Sequence, residues 1–212
     1  MPVDPAIIRP VILAVPAGQA DGAERCPRSH NQRLSHLARA ALMRSARSTG
    51  RHLALADLAK DARGAPLPVD GLYWSLTHKP AYVGGVVASE PVGLDIEAVR
   101  PVRDALFRKI ASEAEWALCG EERQRCFFRY WTAKEAALKA TGAGIRELDD
   151  CRVTAVAGRR RLTITYRRRR WNLAHLYFDG HVATVVCPPG NRVRWMVRAP
   201  SHAENIPVHG AE

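Results

Sequence analysis

The sequence predicts an α+β protein of two lobes, on three observations. A helix-periodic segment followed by strand-like segments occurs twice along the chain. A turn-rich stretch near residues 100–105 separates the two runs. The 212 residues suffice for one large domain or two of about 100 residues each. The expected divisions are residues 1–102, residues 103–200 and a polar, aperiodic tail over 201–212.

In the first lobe, residues 1–28 are punctuated by Pro and Gly, with one apolar stretch, Val11–Val15, that reads as an edge strand. Residues 31–48 read as a helix. Leu34, Leu37, Ala38, Ala41 and Leu42 recur at helical spacing, Ser29 or Asn31 can cap the start, and Gly50 can end it. Arg33, Arg39, Arg44 and Arg47 decorate that helix. A short second helix is expected over Leu53–Asp61. Strands follow at Leu72–Thr77, Tyr82–Ala88 and Val92–Ile96, separated by Lys79-Pro80 and Glu90-Pro91.

In the second lobe, Ser112 followed by Glu115 is a capping box for a helix that contains Trp116 and Leu118. A longer helix spans about Arg123–Ala140, with Phe127, Trp131 and Leu138 on one stripe, and stops at Gly142. Strands are expected at Cys151–Val156, Leu162–Tyr166, Trp171–Phe178, Val182–Cys187 and Val193–Val197.

The formal net charge of +11 divides as +3 over residues 1–100 and +8 over 101–212. That excess favours an anionic partner, whether nucleic acid, a phosphorylated small molecule or an acidic protein. Arg159–Arg161 and Arg167–Arg170 fall at expected hairpin ends, where a solvated turn accounts for them more simply than nucleic acid does. No apolar run approaches the roughly 20 residues of a bilayer span, and the start has no signal-peptide pattern, so a cytoplasmic protein is expected. The cysteines are Cys26, Cys119, Cys126, Cys151 and Cys187. With no C-x-x-C pair among them, reduced thiols are expected.

Chemistry concentrates in two segments. In Gly93-Leu94-Asp95-Ile96-Glu97, the carboxylates of Asp95 and Glu97 are two residues apart, so a strand turns both to one face. Two carboxylates on one face repel unless a cation lies between them, and an all-oxygen set suits Mg²⁺. A pair of surface carboxylates at a strand end is the plainer alternative. In Trp131-Thr132-Ala133-Lys134-Glu135-Ala136-Ala137-Leu138-Lys139, Glu135 and Lys139 share one helix face, where a simple supporting ion pair would also explain them. Lys134 lies about 100° around the helix from Glu135, so Lys134 and Lys139 could reach different oxygens of a pyrophosphate. His78 ends the polar stretch Ser75-Leu76-Thr77-His78, where it could bond a phosphate or a hydroxyl.

Together these elements resemble the 4′-phosphopantetheinyl transferases of the surfactin-synthetase-activating type. That family shows G-[IVL]-D-[IL]-E followed some forty residues later by W-[ST]-x-K-E-[AS]-x-x-K. Upstream it has a third element close to Trp74-Ser75-Leu76-Thr77-His78-Lys79. The likeness runs from about Gly64 to Gly144. It implies two similar α+β halves packed side by side, with coenzyme A between them. It further implies that Asp95, Glu97 and Glu135 hold Mg²⁺ and that Lys139, with Lys134, neutralises pyrophosphate oxygens. Glu135 would be the base for a carrier-protein serine, and His78 would meet a nucleotide phosphate. Arg33 or Arg39 would help with the 3′-phosphate.

The implied reaction moves 4′-phosphopantetheine from coenzyme A to an acidic acyl or peptidyl carrier protein of fatty-acid, polyketide or nonribosomal-peptide synthesis. It needs no nucleic acid or membrane, and a monomer would suffice. Two departures stand out. The family's basic G-[KR]-P triplet is Gly64-Ala65-Pro66 here, with Arg63 or Lys60 as substitutes for the missing charge. Lys79 stands where Ser or Thr is usual. A metal-dependent nuclease using the same carboxylates is the alternative. Such enzymes usually carry their E-x-K on a strand, unlike the helical spacing of Glu135 and Lys139.

Overall fold

A computed structural model describes residues 6–16 and 27–198. The chain forms β1 (Ile7–Ile8), β2 (Val11–Ala14), α1 (Pro27–Ser48), β3 (Tyr73–His78), β4 (Tyr82–Ala88) and β5 (Leu94–Ala98). Then come α2 (Asp104–Ile110), α3 (Glu113–Trp116), α4 (Arg123–Thr141), β6 (Arg152–Ala157), β7 (Arg161–Tyr166), β8 (Arg169–Phe178), β9 (His181–Val186), β10 (Arg192–Val193) and β11 (Met196–Arg198).

Two helix-on-sheet layers result, the α+β arrangement expected. The first sheet has the order β11-β2-β4-β3 and packs on α1, with Leu34, Ala38, Ala41 and Leu42 buried against Val83 and Val87. The approach is close. A Cβ on Gly85 of β4 would lie 2.3 Å from the Leu42 backbone nitrogen, so only glycine fits there. The second sheet is antiparallel, β5-β9-β8-β7-β6, and packs on α4. The capping box at Ser112 and Glu115 forms as expected, and α4 ends at Gly142, whose φ is 67°.

The strand pairings cross the expected boundary at residue 102. β5 belongs to the second sheet, because its residues pair with β9. In return, β11 runs back to pair in parallel with β2, and β10 pairs with β1. β2 is therefore an interior strand between β11 and β4, not the edge strand its position suggested. The expected strand Val193–Val197 is split into β10 and β11. The expected helix Leu53–Asp61 contracts to one 3₁₀ turn, Leu55–Asp57, with no buried residue. A helix there would have no apolar face to cover, and the chain instead folds into a small hairpin in which Lys60 bridges Pro66. α2, which the periodicity did not predict, buries Phe107 and Ile110. The expected tail over 201–212 lies outside the described residues.

The thiol expectation is corrected in part. Cys119 and Cys126 form a disulfide, because the turn from α3 into α4 brings their Cα atoms to 6.2 Å. Cys151 and Cys187 are free and buried; Cys26 lies outside the described residues.

Candidate active site

The two layers meet along β5. Its backbone is tied to the first sheet by the Leu94 N–H, which donates to Ser75 Oγ at 3.1 Å. On its other side Gly93 abuts α4: a Cβ at that position would stand 1.8 Å from the carbonyl oxygen of Ala136. The glycine before Asp95 is thus what allows the strand and helix to come close enough for their polar side chains to meet.

Asp95 is 3% exposed. Its Oδ1 accepts from Lys139 Nζ at 2.8 Å and from Thr77 Oγ1 at 3.1 Å. Lys139 also donates to the Leu94 carbonyl at 3.1 Å. Asp95 Oδ2 is buried and has no hydrogen-bond partner among the described residues. Two residues along the same face, Glu97 Oε1 accepts from Trp131 Nε1 at 3.1 Å and pairs with Lys79 Nζ at 2.7 Å. Burial by itself would lower the Lys79 pKa, but the hydrogen bond and charge of Glu97, aided by Asp95 and Glu135, raise it overall.

Glu135 rises from α4 into this group and is half-buried. No ion pair or hydrogen bond to its carboxylate is found among the described residues. Burial first, then the charge of Asp95, holds its pKa above the ordinary carboxylate value, with Glu97 adding to the effect against the pull of Lys139 and Lys79. His78 is exposed at the end of β3. Desolvation and the charges of Lys139, Lys79 and Lys60 lower its pKa, which favours the neutral ring. Lys60 is near enough to contribute to that lowering. Beside Lys139 a cleft of about 540 Å³ opens between the Arg63–Pro66 turn and residues 142–147. Arg63 lines that cleft and is exposed.

Not every expected residue joins this group. Lys134 is turned away. It is 1% exposed, pairs with Glu115 Oε1 at 3.0 Å and donates to the Ile110 carbonyl. The 100° step around α4 that was to let it share a pyrophosphate instead buries it inside the second layer. Arg39 hydrogen-bonds Ser35 on its own helix and Arg33 is exposed; neither contacts the carboxylates among the described residues. Conversely, sequence reasoning passed over Thr77, Lys79 and Trp131 as partners of the carboxylates. All three flank its motifs, but which of them meets Asp95 or Glu97 depends on how the two sheets join.

The donor set suits a hard divalent cation: three carboxylates within one another's field and one buried oxygen with no partner among the described residues. Two ammonium groups partly fill that role in the protein alone. Among the described residues no group of three or more His, Cys, Asp or Glu side chains is arranged to hold a metal ion. Glu135 and Lys139 sit one turn apart on a helix, not on the strand that the nuclease alternative uses.

Residues 91–186 match the 4′-phosphopantetheinyl transferase superfamily. That segment holds Asp95, Glu97, Glu135 and Lys139. The 4′-phosphopantetheinyl transferase HetI of Nostoc sp. is 35% identical over 105 residues, 44% of this chain and 44% of its own length. The 4′-phosphopantetheinyl transferase psf-1 of Bacillus pumilus is 32% identical over 91 residues, 40% and 39% of the two chains. Sfp of Bacillus subtilis, also a 4′-phosphopantetheinyl transferase, is 26% identical over 132 residues, 58% and 59%. The chain thus spans about half the length of the curated relatives it matches.

Proposed function

We propose that this protein is a 4′-phosphopantetheinyl transferase that uses Mg²⁺, coenzyme A and an acidic carrier protein. The observation that carries the reading is the group at the β5–α4 junction: Asp95, Glu97 and Glu135 face Lys139 and Lys79 beside a cleft between the two layers. Asp95, Glu97, Glu135 and Lys139 lie within residues 91–186, which match the superfamily, and Lys79 lies before them.

In this reading the coenzyme A pyrophosphate lies along the cleft, against Lys139, with His78, Lys60 and Arg63 at the nucleotide end. His78 in its neutral form meets a phosphate oxygen as an N–H donor. Glu135, whose raised pKa makes it a better proton acceptor than an ordinary carboxylate, takes the proton of the carrier serine. The serine oxygen forms a bond to the β-phosphorus, and the bond from that phosphorus to the oxygen of 3′,5′-ADP breaks. Lys139 stabilises the charge that builds on the phosphoryl oxygens. Asp95, Glu97 and Glu135 would hold Mg²⁺, which supplies further positive charge against the pyrophosphate when bound. A +11 chain meets an acidic carrier faster at low salt. No helix among the described residues is long and apolar enough to cross a membrane, and we place the enzyme in the cytoplasm as a monomer.

The experiment is incubation of an apo carrier protein with this protein, coenzyme A and Mg²⁺, followed by intact mass. The reading predicts a gain of about 340 Da that EDTA prevents. A folded protein that modifies no acyl, aryl or peptidyl carrier would refute it.

A further inference from the structure

Glu97 is the more accessible of the two strand carboxylates, yet its side chain is only 14% exposed. Two groups converge on the same oxygen: Trp131 Nε1 from α4 at 3.1 Å and Lys79 Nζ from the end of β3 at 2.7 Å. The lysine is well placed to stay there. Its side chain is 34% exposed, and its backbone N–H donates to the Tyr82 carbonyl at 2.8 Å, which fixes the β3–β4 turn. Lys139 makes the matching pair with Asp95. Two of the three carboxylates therefore already carry an ammonium partner.

A hydroxyl cannot neutralise Glu97, whereas Lys79 does so directly. We propose that Lys79 is a built-in counter-cation that a divalent metal must displace from Glu97, and that the released ammonium then pairs with the pyrophosphate of the substrate. This rests on the proposed function. Two consequences follow from linkage. Without substrate, the Lys79–Glu97 pair competes with the metal and weakens its binding. With coenzyme A present, the displaced ammonium gains a new anionic partner, so metal and coenzyme A strengthen each other's binding.

The test is Mn²⁺ binding, followed by the electron paramagnetic resonance signal of the free ion, with and without coenzyme A. It compares the wild type with Lys79→Ser, Lys79→Met and Lys79→Arg, each checked for an unchanged melting profile. Without coenzyme A, Lys79→Ser and Lys79→Met should bind Mn²⁺ about tenfold more tightly than the wild type, and the enhancement by coenzyme A should shrink correspondingly. Lys79→Arg keeps the charge and should behave as the wild type. Equal or weaker Mn²⁺ binding in both neutral variants would overturn the inference and leave the metal site standing. No Mn²⁺ binding to any of the four proteins would overturn the metal site and the inference with it.

Discussion

Lys134 and Glu135 are neighbours on α4, yet each belongs to a carboxylate–ammonium group of opposite character. Lys134 pairs with Glu115, and every demand of that carboxylate is met. Ser112 donates both its N–H and its hydroxyl at 2.9 Å, and the Val153 N–H donates at 2.9 Å. Burial alone would raise the Glu115 pKa, but these donors and Lys134 bring it below its ordinary value. Glu135 has no such donors, and its pKa is raised. Asp95, beside it, keeps an oxygen with no partner among the described residues. The lesson is that residue type and spacing do not separate a structural ion pair from a reactive one. Satisfaction does: a buried group whose bonds are all made holds the fold, and one left short is available to a ligand.

The comparison breaks most readily at Glu135. Glu135→Gln should lower phosphopantetheine transfer at least 10²-fold, the usual range for a lost general base. The same variant should melt higher in the absence of metal. A raised folded pKa means the carboxylate costs stability above the unfolded value of 4.5, and that cost disappears as pH falls. Calorimetry near neutral pH should show a rise in melting temperature. A lower melting temperature would place Glu135 with Glu115, as a structural residue.

Lys134→Met tests the other side. It strands the buried Glu115 carboxylate, which typically costs about 3–5 kcal/mol. A fall in melting temperature of about 10 °C is expected, with transfer per folded molecule retained. Loss of transfer in a protein that still melts near the wild-type temperature would return Lys134 to the substrate site.

Acid unfolding separates the two groups again. The depressed pKa of Glu115 contributes stability that is fully present above the ordinary value of 4.5 and is lost as pH falls through the folded value. Glu115→Gln should therefore flatten the wild-type loss of stability below that pH, while lowering stability at pH 7. An acid limb as steep as the wild type's would show that Glu115 does not carry it.

The smallest effect lies far from both groups. Arg167 and Arg168 form the turn between β7 and β8, with φ of 49° and 61°, values that favour Gly or Asn. Arg169 stacks over the Trp171 ring at 4.4 Å, and Arg167 pairs with Glu147. Arg168→Gly should raise stability by up to about 1 kcal/mol and leave transfer unchanged. A marked loss of transfer would make this hairpin part of the carrier surface.

Much of this site was legible in the sequence. The i, i+2 spacing of Asp95 and Glu97 set both on one face of β5, and the i, i+4 spacing of Glu135 and Lys139 set both on one face of α4. The side of α4 to which Lys134 would turn was not legible. The helix is buried on nearly every side, from Cys126–Tyr130 through Thr132–Lys134 to Ala136–Leu138, so its periodicity marked no solvent face. The return of β11 to the first sheet, and of β10 to β1, was hidden for another reason: pairing across more than 180 residues leaves no local pattern. Lys79 lay in plain view after His78, but its bond to Glu97 exists only because β3 and β5 meet where the two sheets join.

The most direct measurement is intact mass of one apo carrier protein treated, under identical conditions, with wild-type enzyme, Glu135→Gln and Lys134→Met. Wild type and Lys134→Met, below its melting temperature, should add about 340 Da to the carrier, and Glu135→Gln should add nothing on the same timescale. Full modification by Glu135→Gln would contradict the assignment of the reactive group to the β5–α4 junction.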